Sequence, residues 1–304
     1  MQQTIRIGTR DSKLALWQAH TVQQLLEAQG ARTELVPVKS EGDLDLVTPL
    51  YAMGVQGVFT KTLDAYLLSN KIDIAVHSMK DVPTQLAQGI VQAAVLQRGS
   101  YRDILVPHPQ KNDPQATGYI ATGSVRRKAQ WLNRYPGSRI DNLRGNVQTR
   151  LQKLQDSDWD GAIFAAAGLE RIGLLPENAI DLDWMLPAPA QGAVMVVCRE
   201  GAQELQALCH RFHDEETGIC VQAERDFLKT LMGGCSTPIS ALAQIEAGQL
   251  VFRGNILSLE GKEKIEIEKQ YPLDQIEGIG ISLGRELLEN GADRIVQTIR
   301  NFGA

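Results

Sequence analysis

The chain predicts an α/β protein of two or three domains, and three observations carry that expectation. Its 304 residues are more than one compact core usually holds. Strand-like and helix-like stretches alternate through the first two thirds, a βαβ pattern that implies largely parallel sheets. After Val194-Met-Val-Val197 a third segment of helices and strands follows. An apolar content of 43% and a charged content of 22% are ordinary for a water-exposed globular chain.

The elements follow from hydrophobic spacing. Thr4–Gly8 has the alternation of a strand, and 13–26 places Leu, Trp and Ala at helical intervals, with Trp17 and Leu26 in a core-facing stripe. Residues 34–38 predict a second strand, 59–68 a helix, and 72–77 and 90–96 strands of the buried type. The Pro- and Asn-rich stretch from Pro107 to Pro114 has the composition of a passage between lobes. Beyond it the spacing predicts a strand at 119–121 and a helix over 125–133 with Ser124 as its cap. A strand at 140–143, a helix over 147–155, a strand at 161–166 and a short helix at 169–172 complete this part. The last third predicts a helix over 222–231, a Gly233-Gly234-Cys235 turn, strands at 239–243 and 250–256, and a helix over 280–290. No internal sequence repeat is visible. Gly278-Ile-Gly280-Ile-Ser-Leu-Gly284 has the wrong last interval for a dinucleotide loop and predicts helix packing instead.

Charge narrows the function. With 36 acidic and 31 basic residues the chain is acidic, which argues against nucleic-acid binding. No run approaches the ~20 apolar residues of a membrane span, and Met1-Gln-Gln-Thr-Ile-Arg6 lacks the features of a secretory signal, so a cytoplasmic location is expected. Against this background Arg10, Arg126, Arg127, Arg144, Arg150 and Arg171 all fall in turns where predicted strands run out. Ligands collect at such ends in open α/β sheets, and guanidinium forks fit carboxylates and phosphates. The pattern implies a cleft between two lobes and a small ligand with several anionic groups. Asp81, in His77-Ser-Met-Lys80-Asp81-Val-Pro83, falls at another such end. Helix capping before the proline and catalysis are both open to it.

Four cysteines are too few for a disulfide framework. Cys235, flanked by glycines, is placed as an accessible nucleophile, or as an inert loop thiol, whereas Cys198 sits in an apolar run. Cys209, His210, His213 and Cys220 match no paired metal-ligand spacing, and no metal is expected. His77 reads as a hydrogen-bonded core residue. Two other functions use the same residues: a two-lobed solute-binding protein, which leaves Cys235 without a task, and a cysteine-dependent acyl transferase, which requires a histidine near it.

The motifs resemble those of the hydroxymethylbilane synthases, also called porphobilinogen deaminases. The resemblance spans nearly the whole chain: Ile7-Gly-Thr-Arg10 with Ser12 and Leu14-Ala-Leu-Trp-Gln18, then Asp73 to Pro83, Thr122-Gly-Ser124-Val-Arg126-Arg127, Leu143-Arg-Gly-Asn146-Val-Gln-Thr-Arg150, Ala165 to Arg171, Leu186 to Gly192, and Gly233-Gly-Cys235. It implies two lobes similar to periplasmic binding proteins, residues 1–97 with 193–212 and residues 98–192, and a smaller C-terminal α/β domain, 213–304, carrying the cofactor cysteine. It implies a transferase of heme and tetrapyrrole biosynthesis that joins four porphobilinogen molecules, releasing ammonia each time, on one dipyrromethane per chain linked by a thioether to Cys235. By residue matching, Asp81 is the catalytic acid. Lys80, Ser78, Asp43, Ser124, Arg126, Arg127, Arg144, Gly145, Arg150 and Gln191 hold the cofactor, and Arg10, Ser12, Phe59, Arg144 and Arg171 the substrate. The expected partner is porphobilinogen alone, for a monomer without nucleic acid or membrane. The sequence departs from the family at Glu41, Ala52, Gln56 and Ala190, where basic, neutral or glycine residues are common, so the loop from Leu50 to Thr60 brings less positive charge to the cleft.

Overall fold

The computed structural model describes residues 4–39, 60–111, 118–231 and 237–302. The amino-terminal part contains β1 (Ile5–Arg10), α1 (Lys13–Glu27), β2 (Thr33–Val38), α2 (Lys61–Leu68), β3 (Ile74–Ser78) and β4 (Ile90–Val95). Next come β5 (Asp103–Pro107), β6 (Tyr119–Ala121), α3 (Val125–Arg134), β7 (Arg139–Asp141), α4 (Val147–Gln155), β8 (Gly161–Ala165), α5 (Ala166–Glu170) and β9 (Ile180–Asp181). The chain continues with β10 (Val194–Arg199), α6 (Gln203–His210), α7 (Glu215–Thr230), β11 (Ile239–Glu246), β12 (Gln249–Leu257), β13 (Lys264–Pro272), α8 (Ile279–Leu287) and α9 (Asp293–Phe302).

Two five-stranded sheets share one design. The first has the order β2-β1-β3-β10-β4 and the second β7-β6-β8-β5-β9. In each, three neighbouring strands are parallel and the fourth, β10 or β5, runs against both of its neighbours. The sheets are therefore mixed rather than largely parallel. The reversed strand in each is one that enters from the other sheet, because the chain crosses after β4 and returns after β9. The expected passage at Pro107–Pro114 is displaced accordingly: β5 already belongs to the second sheet, so the crossing lies before Asp103. The design repeats although the sequence does not.

Both sheets are covered on both faces, which explains their near-continuous apolar strands. Along β10, Val194, Val196 and Cys198 pack with α1 and α6, while Met195 and Val197 pack with α2 and Val221 of α7. Along β8, Ala162 and Phe164 face one cluster and Ile163 the other. The C-terminal part is an antiparallel sheet, β11-β12-β13, whose core includes Phe227, Phe252, Leu283 and Leu287. Here α8 lies against α7 at its glycines: a Cβ on Gly280 would come within 2.1 Å of Ala223 O, and one on Gly284 within 2.7 Å of Thr230. The expectation of helix packing holds. Helix α7 starts earlier than predicted, because Asp214 caps it by accepting from Thr217 N at 2.8 Å. Trp17 is another difference, 39% exposed rather than in the helix core, with the Arg171 guanidinium 5.3 Å from its ring.

Candidate functional site

The site is built where parallel strands of both sheets end. β1 ends at Arg10, followed by Ser12, whose hydroxyl caps α1 by accepting from Ala15 N at 3.3 Å. β3 ends at Ser78, which is paired with the side-chain amide of Gln18 at 2.9 Å. A single 3-10 turn, Met79–Asp81, follows, and Val82, extended at φ −87° and ψ 128° as a residue before proline prefers, ends it. Lys80 and Asp81 project from that turn, both half-buried.

From the second sheet, β6 leads to Ser124, which caps α3 by accepting from Arg127 N at 3.4 Å and so fixes Arg126 and Arg127 in the first helical turn. β7 leads to Arg144 and Gly145, and the Gly145 carbonyl accepts from Arg150 Nε at 2.7 Å. Arg126, Arg127 and Arg144 are 4%, 5% and 4% exposed.

An acid that sequence reasoning passed over organises the second half of the site. Asp103, the first residue of β5, is fully buried. Its Oδ1 lies 2.8 Å from an Arg127 terminal nitrogen and its Oδ2 2.7 Å from one of Arg126. Burial alone would raise its pKa, but the two guanidinium groups hold it well below the usual carboxylate range. Gln191 then links the lobes: its Nε2 donates to Asp103 Oδ1 at 2.9 Å and Tyr101 O at 2.7 Å, and its Oε1 accepts from Lys80 Nζ at 3.2 Å. The result is one network, Lys80–Gln191–Asp103–Arg126/Arg127, across both crossing segments.

Among the described residues this cluster holds more cationic than acidic side chains. Arg150 is lowered to about 10 by burial and by Arg127 and Arg144, with Asp81 opposing and Arg10 adding to the effect. Lys80 is lowered to about 8 by burial and then Arg127, against Asp81 and Asp103. Arg10, Lys80, Asp81, Arg127, Arg144 and Arg150 therefore share one field. Among the described residues no hydrogen bond or ion pair engages the Asp81 carboxylate. Burial and Arg10 lower His77 to about 4, and its Nε2 is buried without a hydrogen-bond partner, contrary to the expected bonded core histidine.

Arg171 stands apart from this cluster. It donates to Gly192 O at 2.6 Å and stacks near Trp17, bracing the crossing segments. Asp43, Phe59, Cys235 and the loop bearing Gln56 and Ala52 lie outside the described residues. The other three cysteines, Cys198, Cys209 and Cys220, are buried, and burial pushes the thiols of Cys209 and Cys220 up to about 12. Ala190 adopts a left-handed φ of 60°, which accounts for a glycine being common there.

Residues 5–207 match the family model described as porphobilinogen deaminase, dipyrromethane cofactor binding domain, and residues 218–289 match the porphobilinogen deaminase C-terminal domain. The chain belongs to the porphobilinogen deaminase family. The porphobilinogen deaminase of Syntrophotalea carbinolica is 41% identical over 301 residues, covering 97% of this chain and 96% of that one. That of Syntrophomonas wolfei is 40% identical over 298 residues, covering 96% and 97%. Likeness to solved structures is looser: the methionine binding protein MetQ has a TM-score of 0.44 at 13% identity, covering 71% of this chain and 92% of that one. The donor set fits the family's dipyrromethane, because guanidinium and ammonium groups that depress one another are neutralised by a carboxylate-bearing ligand.

Proposed function

We propose that this chain condenses four porphobilinogen molecules stepwise into hydroxymethylbilane, with Asp81 as the catalytic acid and base and Cys235 as the anchor of the dipyrromethane. The observation that carries the reading is that the strand ends and helix starts of both sheets bring Arg10, Lys80, Arg127, Arg144 and Arg150 into one field with the Asp81 carboxylate, which no hydrogen bond or ion pair engages among the described residues. When bound, the dipyrromethane supplies a free pyrrole α-position, the nucleophile for the first incoming ring. Each ring brings two carboxylates, and the guanidinium and Lys80 donors hold them. Asp81 accepts the pyrrole N–H as positive charge builds on the ring with loss of ammonia, and takes up the proton that the new carbon–carbon bond releases. Asp103 cannot share this task, since Arg126 and Arg127 keep it ionised.

Cys235 is favoured as the anchor because the remaining thiols are buried and hard to ionise. Ser78, Ser124, Gly145, Gln191 and Asp43 are assigned to the cofactor, and Ser12, Phe59 and Arg171 to substrate, by residue matching. Ser78, Gln191 and Arg171 also have protein partners, so they shape the pocket as well as line it. We read the enzyme as a cytoplasmic monomer, as the family resemblance implies; separately, no helix among the described residues is long and apolar enough to cross a membrane. Asp81→Asn is expected to keep the cofactor, seen as an intact mass equal to the variant chain plus the dipyrromethane, while turnover of porphobilinogen falls by about 10²-fold or more. Turnover within a few-fold of the parent enzyme removes Asp81 from the mechanism.

A further inference from the structure

Arg225 lies in the middle of α7 and is 7% exposed. A buried guanidinium ordinarily faces a carboxylate, and Glu224 is the adjacent residue, fully buried too. Yet Glu224 turns elsewhere: it takes Arg98 at 2.6 Å and the backbone N–H groups of Ala190 and Ala243 at 2.6 and 2.8 Å. Arg225 spends its donors on three carbonyls instead. One terminal nitrogen lies 3.0 Å from Val82 O and 3.4 Å from Met79 O, and the other 2.6 Å from Pro83 O. These carbonyls belong to the turn that presents Asp81 and to its exit.

That turn has few other restraints. Val82 N donates to Met79 O at 3.1 Å, and Met79 N to Ala193 O at 3.0 Å. Pro83 has no N–H to give, and among the described residues no backbone N–H reaches Val82 O or Pro83 O. A planar fork satisfies several carbonyls at once, which an ammonium on a flexible stem does less well.

We propose that Arg225 is a positioning residue: its guanidinium clamps the exit of the Met79–Asp81 turn and so keeps the Asp81 carboxylate aimed into the cationic crevice. The clamp comes from α7, the helix that precedes Cys235 in the sequence. The inference rests on the reading of Asp81 as the acid.

The test compares Arg225→Met and Arg225→Lys with the parent, all as cofactor-bearing enzyme verified by intact mass, and reads kcat, KM and amide hydrogen exchange. A misplacement of about 1 Å costs on the order of 10²-fold in rate. Arg225→Met is therefore expected to lose about 10- to 100-fold in kcat with KM within about threefold, Arg225→Lys to recover part of the loss, and exchange at Met79 and Val82 to speed up. A purely structural role would lower the folded yield and leave kcat per cofactor-bearing molecule unchanged. A kcat within twofold of the parent overturns the proposal, read on Arg225→Lys if Arg225→Met does not fold. Asp81→Asn is run beside them: normal turnover there removes the acid reading and this proposal with it. Loss in Asp81→Asn with normal kcat in the Arg225 variants removes the clamp alone.

Discussion

A carboxylate that serves successive identical condensations must return to the same state after each one, and the two acids of the crevice differ in whether they can. Asp103 is locked between two guanidinium groups, whereas Asp81 has no such partner among the described residues. The position of Asp81 before Val82-Pro83 was legible in the sequence; that Arg126 and Arg127 both pair with Asp103 was not, because only the folded sheet brings β5 against α3. His77 provides a check on the electrostatics. Its folded pKa of about 4 lies below the ordinary 6.5, so between those values the unfolded chain binds the extra proton. Stability is therefore lost as pH falls from about 6.5 towards 4, by up to about 3 kcal/mol if the whole difference is expressed. Urea unfolding at pH 7 and pH 4.5 is expected to show a smaller acid loss for His77→Gln than for the parent enzyme. Equal losses would mean that His77 takes a proton in the folded state as readily as in the unfolded one.

At the level of elements, the two crossing segments hold the lobes in register. Gly99 N donates to Gly192 O at 3.1 Å, and Arg171 donates to the same carbonyl. Gly192 has a φ of +89°, and a Cβ there would stand 2.7 Å from both Gly99 O and Ser100 O. Gly173, at φ +66°, has nothing within 4 Å of such a Cβ. Gly173→Ala thus carries only the left-handed backbone cost, roughly 1 kcal/mol, while Gly192→Ala adds a backbone clash of about 1–3 kcal/mol and forces the segments apart. Chemical denaturation should separate the two variants by that margin, with reduced turnover for Gly192→Ala alone. Equal stability of the two would show that the segments have room to move. The helix expected over 125–133 was legible because its Ser124 cap and its spacing are local, and that over 147–155 from its spacing; they run 125–134 and 147–155. The antiparallel course of β5 and β10 was not, since strand direction depends on where the chain crosses between sheets.

For the molecule as a whole, two sheets of one design contribute to one cationic cluster, and a third part, through α7, grips both the crossing segments and the Asp81 turn. The two-lobed plan and most arginine positions could be read from strand ends in the sequence. The network through Gln191 and Asp103 could not, because its members are 88 residues apart. The proposed function requires that the product grow on a primer held by a thioether at Cys235. Intact-mass measurement after incubation with porphobilinogen tests it most directly, on the parent chain and on Cys235→Ser. Expected are a parent mass equal to the chain plus two pyrrole units, with further species each one porphobilinogen less ammonia heavier, and a Cys235→Ser chain with no addition. A parent chain at its sequence mass after that incubation, or a Cys235→Ser chain that still bears the covalent addition, would contradict it.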